Sequence, residues 1–292
     1  MPADVNMTTL PDSQLNVSDS TLSRLLETRS AFDSVAGDYD GPRGNNHLIQ
    51  DMRAEMWHWL DATFTAPGRL IDLGCGTGLD AVRMAHRGHY VTATDWSPLM
   101  VQRTRDRIQQ AGLTDRVRVV ALGGQELRHL DGAGTHDGIY SNLGPLNCVP
   151  DLRQVSRECA RLLNPDGVLV FTVVGRICPW ETTYYLLKRK WRRATVRFAR
   201  NAVPVGMNNH TIWTRYYGPR EFYRAFHREF SLQHFRGICT FAPPPYLTWV
   251  REQHRPLYEF LWQLDRRSSG WPLIRAMGDH FLIVMKRRPA LQ

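Results

Sequence analysis

Apolar positions along this chain follow two periods in turn. Short unbroken apolar runs, bounded by Gly, Pro, Asn or Asp, alternate with longer stretches whose apolar residues recur every three or four positions. The first kind predicts buried strands and the second amphipathic helices. Strands are expected over residues 70–73, 91–95, 117–122, 136–142 and 168–174, with helices over 50–64, 79–87, 99–111 and 152–163. This alternation predicts a mostly parallel sheet covered on both faces, an α/β fold. In the helix over 50–64, Met52, Met56, Trp59, Leu60 and Phe64 share one face, the pattern of core residues.

Beyond Gly175 the pattern changes. Trp180, Tyr184, Leu187, Trp191, Ala194 and Phe198 fall at helical spacing, with Lys188, Arg189, Lys190, Arg192, Arg193, Arg197 and Arg200 between them. A basic amphipathic helix is therefore expected over residues 180–200. Its cationic face suits solvent, an anionic substrate or membrane surface, or RNA. Residues 211–217 alternate like an inserted strand, 220–230 read as a helix and 232–239 as a strand. Leu247, Val250, Leu257, Leu261 and Leu264 then mark a further helix, and residues 280–286 a last strand. Residues 1–18 are polar and aperiodic, the composition of a disordered leader, and an amphipathic stretch starts at Ser20. No repeat or Ser/Gly-rich linker divides the rest. Residues 19–292 are expected to form one domain, with a core of about 50–175, 218–240 and 279–288. The remaining segments, 19–49, 176–217 and 241–278, would form a cap.

Composition narrows the setting. With 292 residues, 42% of them hydrophobic, the chain can bury a proper core. No apolar run approaches the ~20 residues of a membrane-spanning helix, and the N-terminal residues do not follow a secretory pattern. Five scattered cysteines, with no C-x-x-C pair, support neither a disulfide framework nor a zinc site. A reduced, cytoplasmic setting is expected. The net charge of +9 favours anionic partners without choosing among them.

The chemistry concentrates at Leu70-Ile71-Asp72-Leu73-Gly74-Cys75-Gly76-Thr77-Gly78, an apolar run that enters a turn with three alternating glycines and leaves as a helix. Glycines here allow backbone dihedrals that a β-carbon forbids and let the chain approach a ligand closely. Phosphate, dinucleotide and adenosyl sites all use such a turn. Asp72, two residues before the first glycine, would repel a pyrophosphate and welcome an ammonium group. No Gly-Lys-Ser or Gly-Lys-Thr ending follows. The expected ligand carries a cationic amino-acid part and an adenosine part, and S-adenosylmethionine has both. Asp95 ends the next strand 21 residues beyond Gly74, where a carboxylate can accept from ribose hydroxyls.

With these residues reading LIDLGCGTG and then VTATDWSPLM, the chain resembles the class I S-adenosylmethionine-dependent methyltransferases, in particular the bacterial small-molecule type. The resemblance implies a seven-stranded, doubly wound, Rossmann-like sheet. It also implies an N-terminal helical lid and a helical cap inserted after the fifth and sixth strands. Phe32-Asp33, Ala36 and Tyr39-Asp40 resemble the family's lid element, which makes Tyr39 a lid residue. The cofactor contacts implied are Tyr39, Asp72, Gly74, Cys75, Gly76, Asp95, Trp96, Gln125, Glu126, Asn142 and Leu143. Gly124 departs from the pattern, since the family often has an acid there for the adenine amine, and Gln125 or a backbone group would substitute. The loop SNLGPLNCV resembles the acceptor edge of small-molecule enzymes, not the Asn-Pro-Pro-Tyr pattern of amino-methylating nucleic-acid enzymes.

Methyl transfer from a sulfonium is an in-line displacement in which the protein chiefly positions the nucleophile ~3–3.5 Å from the methyl carbon, an effect worth roughly 7–11 kcal/mol. No metal is needed, and the histidines lack metal-ligand spacing. His47, His210, Tyr39 and Tyr216 are candidates for a base where the acceptor must lose a proton. The expected activity is methylation at O, N or C of a small anionic or aromatic metabolite, with S-adenosylhomocysteine as product. The alternatives are a membrane lipid, quinone or RNA acceptor, and a non-catalytic adenosyl-binding protein.

Overall fold

The computed structural model describes residues 18–272 and 274–289. The leader expected over 1–18 lies, except for Ser18, outside the described residues.

Two helices come first, α1 (Asp19–Val35) and α2 (His47–Thr63). Strands and helices then alternate: β1 (Arg69–Leu73), α3 (Leu79–His86), β2 (Tyr90–Asp95), α4 (Pro98–Gln110), β3 (Val117–Ala121), β4 (His136–Ser141), α5 (Leu152–Leu162) and β5 (Leu163–Val174). A first insertion holds α6 (Pro179–Leu187), α7 (Trp191–Thr195) and a hairpin of β6 (Val203–Met207) and β7 (His210–Thr214). The core resumes with α8 (Pro219–Phe226) and β8 (Phe230–Ile238). A second insertion, α9 (Thr248–Gln253) and α10 (Arg255–Ser268), precedes β9 (His280–Arg287).

Among the described residues, seven strands form one sheet in the order β3-β2-β1-β4-β5-β9-β8. Neighbouring strands from β3 to β5 run parallel, and β9 lies antiparallel between β5 and β8. The strand order turns back at β1, so a ligand crevice is expected outside the carboxyl ends of β1, β2 and β4.

Period-two alternation divides the core between the two faces. Ile71, Ile139, Phe171 and Phe281 point to one side, where α5 and α8 add Cys159, Phe222 and Phe226. Leu70, Tyr140, Val170 and Leu282 point to the other, against Met52, Met56 and Leu60 of α2. On the first side the rings of Phe222 and Phe226 stack at 5.0 Å, and Phe171 meets Phe226 edge-on at 5.9 Å.

Four local expectations change. The basic stretch is not one helix. α6 ends in a Schellman motif, in which Lys190 N–H donates to Tyr185 C=O at 2.8 Å and Arg189 N–H to Leu186 C=O at 2.9 Å. Arg189 takes the left-handed position at φ +55°, a place that glycine usually fills. Arg197, counted in the exposed basic face, is buried. The inserted strand belongs to a hairpin whose first half, β6, carried no clear alternation. Its turn residues Asn208 and Asn209 both have positive φ, as a type I′ turn requires. The helix after residue 247 breaks at His254, because Pro256 at the start of α10 offers no N–H to the preceding turn.

Candidate functional site

The glycine turn after β1 is closely fitted to its neighbours. Gly74, Gly76 and Gly78 have φ of +77°, +56° and +83°. A β-carbon on Gly74 would fall 2.4 Å from Pro145 Cβ, and one on Gly78 would fall 2.8 Å from Thr104 Cγ2. At Gly76 it would meet only the Tyr39 ring, at 3.9 Å, so this residue faces open space. Thr94 C=O accepts from the N–H groups of Gly74 and Cys75, at 2.8 and 2.9 Å, which ties the turn to β2.

Asp95 ends β2 and holds the turn from the other side. One carboxylate oxygen accepts from Gly76 N–H and the other from Ser97 N–H, both at 2.9 Å. Burial pushes its pKa up to about 6, against the opposing pull of these two N–H groups.

A cleft of about 1050 Å³, counted to its open mouth, lies between these turns and the N-terminal segment. Every expected cofactor residue except Asp72 and Glu126 lines it. Asp72 is buried beneath the turn with Oδ2 unpartnered, and burial followed by the charge of Asp80 raises its pKa well above the usual carboxylate range. Glu126 shapes the turn after β3 by accepting from Gly123 N–H at 2.9 Å. Gln125 does line the cleft, and its buried Nε2 has no partner, a donor suited to a ring nitrogen of a purine. Trp96 lines the same end, with the Arg29 guanidinium 5.0 Å from its ring.

At the opposite end stands a charged pair that sequence reasoning missed. Asp80, in the first turn of α3, accepts from Arg53 Nη1 at 2.6 Å, Trp57 Nε1 at 2.7 Å and Asn142 Nδ2 at 3.0 Å. Arg53 and Asp80 both line the cleft, and Arg53 Nε is buried without a partner. The pair suits the carboxylate and ammonium of an amino acid. It joins α2 to α3 across 27 residues, and apolar periodicity in α2 does not single out a cation between Met52 and Met56. Asn142 and Leu143 are fixed by Thr172, whose hydroxyl donates to Asn142 Oδ1 at 2.9 Å and accepts from Leu143 N–H at 2.7 Å.

Two aspartates hold the N-terminal segment against the turns. Asp33 accepts from Ser97 Oγ at 2.5 Å and Leu99 N–H at 3.2 Å. Asp40 accepts from Thr77 Oγ1 at 2.9 Å and Arg107 Nη2 at 2.5 Å. From the same segment, Leu25, Phe32 and Tyr39 line the cleft. Burial raises the Tyr39 pKa, with Arg53 opposing it, so the hydroxyl stays protonated.

The base candidates do not come together. Tyr39 lines the cleft, whereas His47, His210 and Tyr216 do not. His47 is exposed at the start of α2. His210 is exposed in the hairpin, with Nδ1 3.4 Å from Ser30 Oγ. Tyr216 lies under the Arg197 guanidinium at 5.1 Å, and burial pushes its pKa up to about 12. A different histidine, His280, does not line the cleft either but stands directly behind Gly144, which does. His280 opens β9 opposite Val174, and its Nδ1 pairs with Asp279 Oδ2 at 2.8 Å. A β-carbon on Gly144, a cleft residue, would come within 3.8 Å of His280 Nε2. An antiparallel strand brings its first residue to the edge where parallel strands end, a consequence of topology and not of any local motif. Among the described residues, no group of three or more His, Cys, Asp or Glu could hold a metal ion.

Residues 70–167 match the family model described as a methyltransferase domain. A ubiquinone biosynthesis O-methyltransferase of Xanthomonas axonopodis pv. citri is 33% identical over 140 residues, 48% of this chain and 56% of that protein. The chain thus spans about half the length of the curated relatives it matches. Among solved structures, the 1,6-didemethyltoxoflavin-N1-methyltransferase of Burkholderia thailandensis, bound to 1,6-didemethyltoxoflavin and S-adenosylhomocysteine, aligns over 96% of this chain and 93% of that one. Its TM-score is 0.55 at 19% identity. The geranyl diphosphate C-methyltransferase of Streptomyces coelicolor A3(2) aligns over 80% and 76%, with a TM-score of 0.52 at 18% identity. At these identities the structural likeness establishes the fold.

Proposed function

We propose that this chain, a member of the class I S-adenosylmethionine-dependent methyltransferases, transfers a methyl group to an O, N or C nucleophile of a small anionic or aromatic metabolite. The observation that carries this reading is the set of unspent polar groups around one cleft. Gln125 Nε2 at one end and the Arg53–Asp80 pair at the other flank the Gly76–Asp95 turn. Gln125 and Trp96 would hold the adenine, Asp95 the ribose hydroxyls, and Asp80 with Arg53 the amino-acid end. S-adenosylmethionine supplies an activated methyl group in such a site. The residues here orient it and exclude water, with Tyr39, Phe32 and Leu25 in the cleft lining. The acceptor's lone pair forms the new bond to carbon as the carbon–sulfur bond breaks, leaving S-adenosylhomocysteine. Where the acceptor carries a proton, His280 Nε2, oriented by Asp279, is the group proposed to receive it. The names of the relatives, which specify ubiquinone biosynthesis, 1,6-didemethyltoxoflavin and geranyl diphosphate, support a small-molecule acceptor.

Calorimetry with S-adenosylmethionine and S-adenosylhomocysteine tests the cofactor. The wild type should bind both, and Asp95→Ala with Gly76→Val should bind neither measurably. No binding to the wild type, or undiminished binding by the variant, overturns the reading. A gain of one methyl mass on an acceptor, with release of S-adenosylhomocysteine, separates the enzyme from a non-catalytic adenosyl-binding protein.

A further inference from the structure

Exposed apolar surface is distributed unevenly over this molecule. Among the described residues, every large apolar side chain left exposed, apart from Tyr90 and Leu99, lies in the two insertions. Surface that soluble domains ordinarily cover marks a contact with something else.

The densest part is the elbow between α6 and α7. All eight residues from 186 to 193 are exposed, among them Leu187 at 81% and Trp191 at 66%. Five of the eight are Lys188, Arg189, Lys190, Arg192 and Arg193. Residues 182–200 contain no Asp or Glu, and among the described residues none of these five cations has a carboxylate partner. Lys188 and Arg193 rest instead over the rings of Tyr184 and Tyr185, at 4.5 and 5.7 Å.

The elbow is a rigid projection. At its base Glu181 is buried and accepts from Arg197 Nη2 at 2.7 Å, and Trp180 Nε1 donates to Phe241 C=O at 2.5 Å. On the far side Ala194 and Arg197 are buried. The Schellman motif at Arg189 fixes the bend. The fold thus leaves Leu187, Trp191 and the five cations interleaved with them exposed to water.

We propose that this elbow is a docking surface for anionic lipid bilayers. The cations match acidic headgroups, and the aliphatic and indole side chains between them suit the headgroup–acyl boundary. Single-stranded RNA would use the cations and Trp191, but Leu186 and Leu187 offer bases no ring to stack on. A second copy meeting this face about a two-fold axis would bring its five cations against another five. The chain would lie on the membrane and not cross it, since no helix among the described residues is long and apolar enough to span one.

Vesicle co-sedimentation of the full chain tests the proposal. Phosphatidylcholine vesicles containing phosphatidylglycerol should pull the protein down at low ionic strength. Phosphatidylcholine vesicles alone should not, and added salt should release it. Each cation removed should weaken binding roughly fivefold, so Lys188→Gln, Arg189→Gln, Lys190→Gln and Arg192→Gln together should weaken it roughly a hundredfold or more. Leu187→Ser with Trp191→Ser should likewise weaken the binding seen at low ionic strength. Both variants should melt like the wild type and keep its affinity for S-adenosylhomocysteine, which separates this result from failure of the cofactor site. The proposal is overturned by the absence of vesicle binding or by binding that neither variant alters. It is equally overturned if the variants affect only RNA binding or self-association.

Discussion

Two buried arginines set the cofactor half of this molecule against its cap. Arg197, in the cap, directs both Nη atoms at protein acceptors. Nη1 donates to Gly175 C=O at 2.9 Å and Asp279 C=O at 3.0 Å, and Nη2 to Glu181 at 2.7 Å and Asp279 at 2.6 Å. Arg53, in the cofactor half, gives Nη1 to Asp80 and lines the cleft, which Arg197 does not, while Nε is buried and unpartnered in both. Both side chains are about equally buried, at 7% and 11% exposed. What differs is the destination of their donors. Arg197 ties the sheet edge to the first insertion, and Tyr246 OH, donating to Glu181 at 2.9 Å, brings in the second. Its network is an anchor. Arg53 lines the cleft, where its guanidinium can meet a ligand's carboxylate.

Substituting the two arginines should therefore separate stability from binding, and this is the largest effect expected. Arg197→Met leaves Glu181 and Asp279 buried without their cation and should cost about 3–5 kcal/mol of stability. Protein that remains folded should bind S-adenosylhomocysteine as before. Arg53→Met leaves Asp80 two other donors, Trp57 and Asn142, so the stability loss should be smaller, about 1–3 kcal/mol. Losing a charge-assisted bond to the ligand should weaken S-adenosylhomocysteine roughly tenfold to a hundredfold. Thermal melts and calorimetry on the two variants decide. If Arg53→Met retains full affinity, or Arg197→Met loses affinity without losing stability, the contrast between anchor and site collapses.

Two aspartates offer a gentler version of the comparison. Asp95 at the cleft and Asp265 in the cap are both pushed up to about 6, by burial first in each case, while backbone N–H groups pull the other way. Asp265 accepts from Thr240, Phe241 and Ala242 and does not line the cleft. In the unfolded chain an aspartate titrates near 3.9. Between about pH 4 and pH 6 each of these two carboxyls thus holds more protons in the folded chain than in the unfolded one, and its contribution to stability should fall as pH rises through that window, then level off. Asp265→Asn should flatten this slope and leave S-adenosylhomocysteine affinity untouched at each pH. Asp95→Asn should flatten it too and do something more. A ribose hydroxyl donates better to a carboxylate than to a carboxylic acid, so wild-type affinity should rise about five- to tenfold from pH 5 to pH 7. That rise should be absent in Asp95→Asn. Calorimetric titrations across this range check it, and a rise that persists in the variant would remove Asp95 from the ribose site.

The two halves also differed in how far their residues foretold them. Around the cofactor, causes are local. The spacing of Gly74, Gly76 and Gly78, the carboxylate of Asp95 and the unbroken apolar strands each act on their own segment, so the sheet and most of the cleft lining were legible. Asp72 was read as facing the ligand, yet its strand position turns it beneath the loop, and Asp80, not Asp72, joins Asp95 in lining the cleft. That exchange depends on which helix packs over β1, which no local pattern states. In the cap almost every decisive contact is distant. Arg197 reads as one more cation on a basic face because Asp279, its partner, lies 82 residues away. His280 reads as the start of a strand, and only the antiparallel insertion of β9 delivers it to the acceptor edge.

Helix ends show the same divide and supply the smallest prediction. The helices α3 and α4 close at Gly88 and Gly112, with φ of +95° and +66°, so each ending carries the glycine that such a turn favours. The helix α6 closes by the same hydrogen bonds with Arg189 in the glycine position, so the stop signal was absent and one long helix was expected. A non-glycine residue held left-handed is strained by roughly 1–2 kcal/mol, and a glycine there loses roughly 0.5–1 kcal/mol more backbone freedom on folding. Arg189→Gly should therefore change stability by about 0–1.5 kcal/mol, in the stabilising direction. The same substitution removes one exposed cation from the elbow and should weaken binding to anionic vesicles about fivefold. Denaturant melts and vesicle titrations on this one variant measure the two properties independently. A bend that served only to end a helix would gain stability and lose nothing at the membrane.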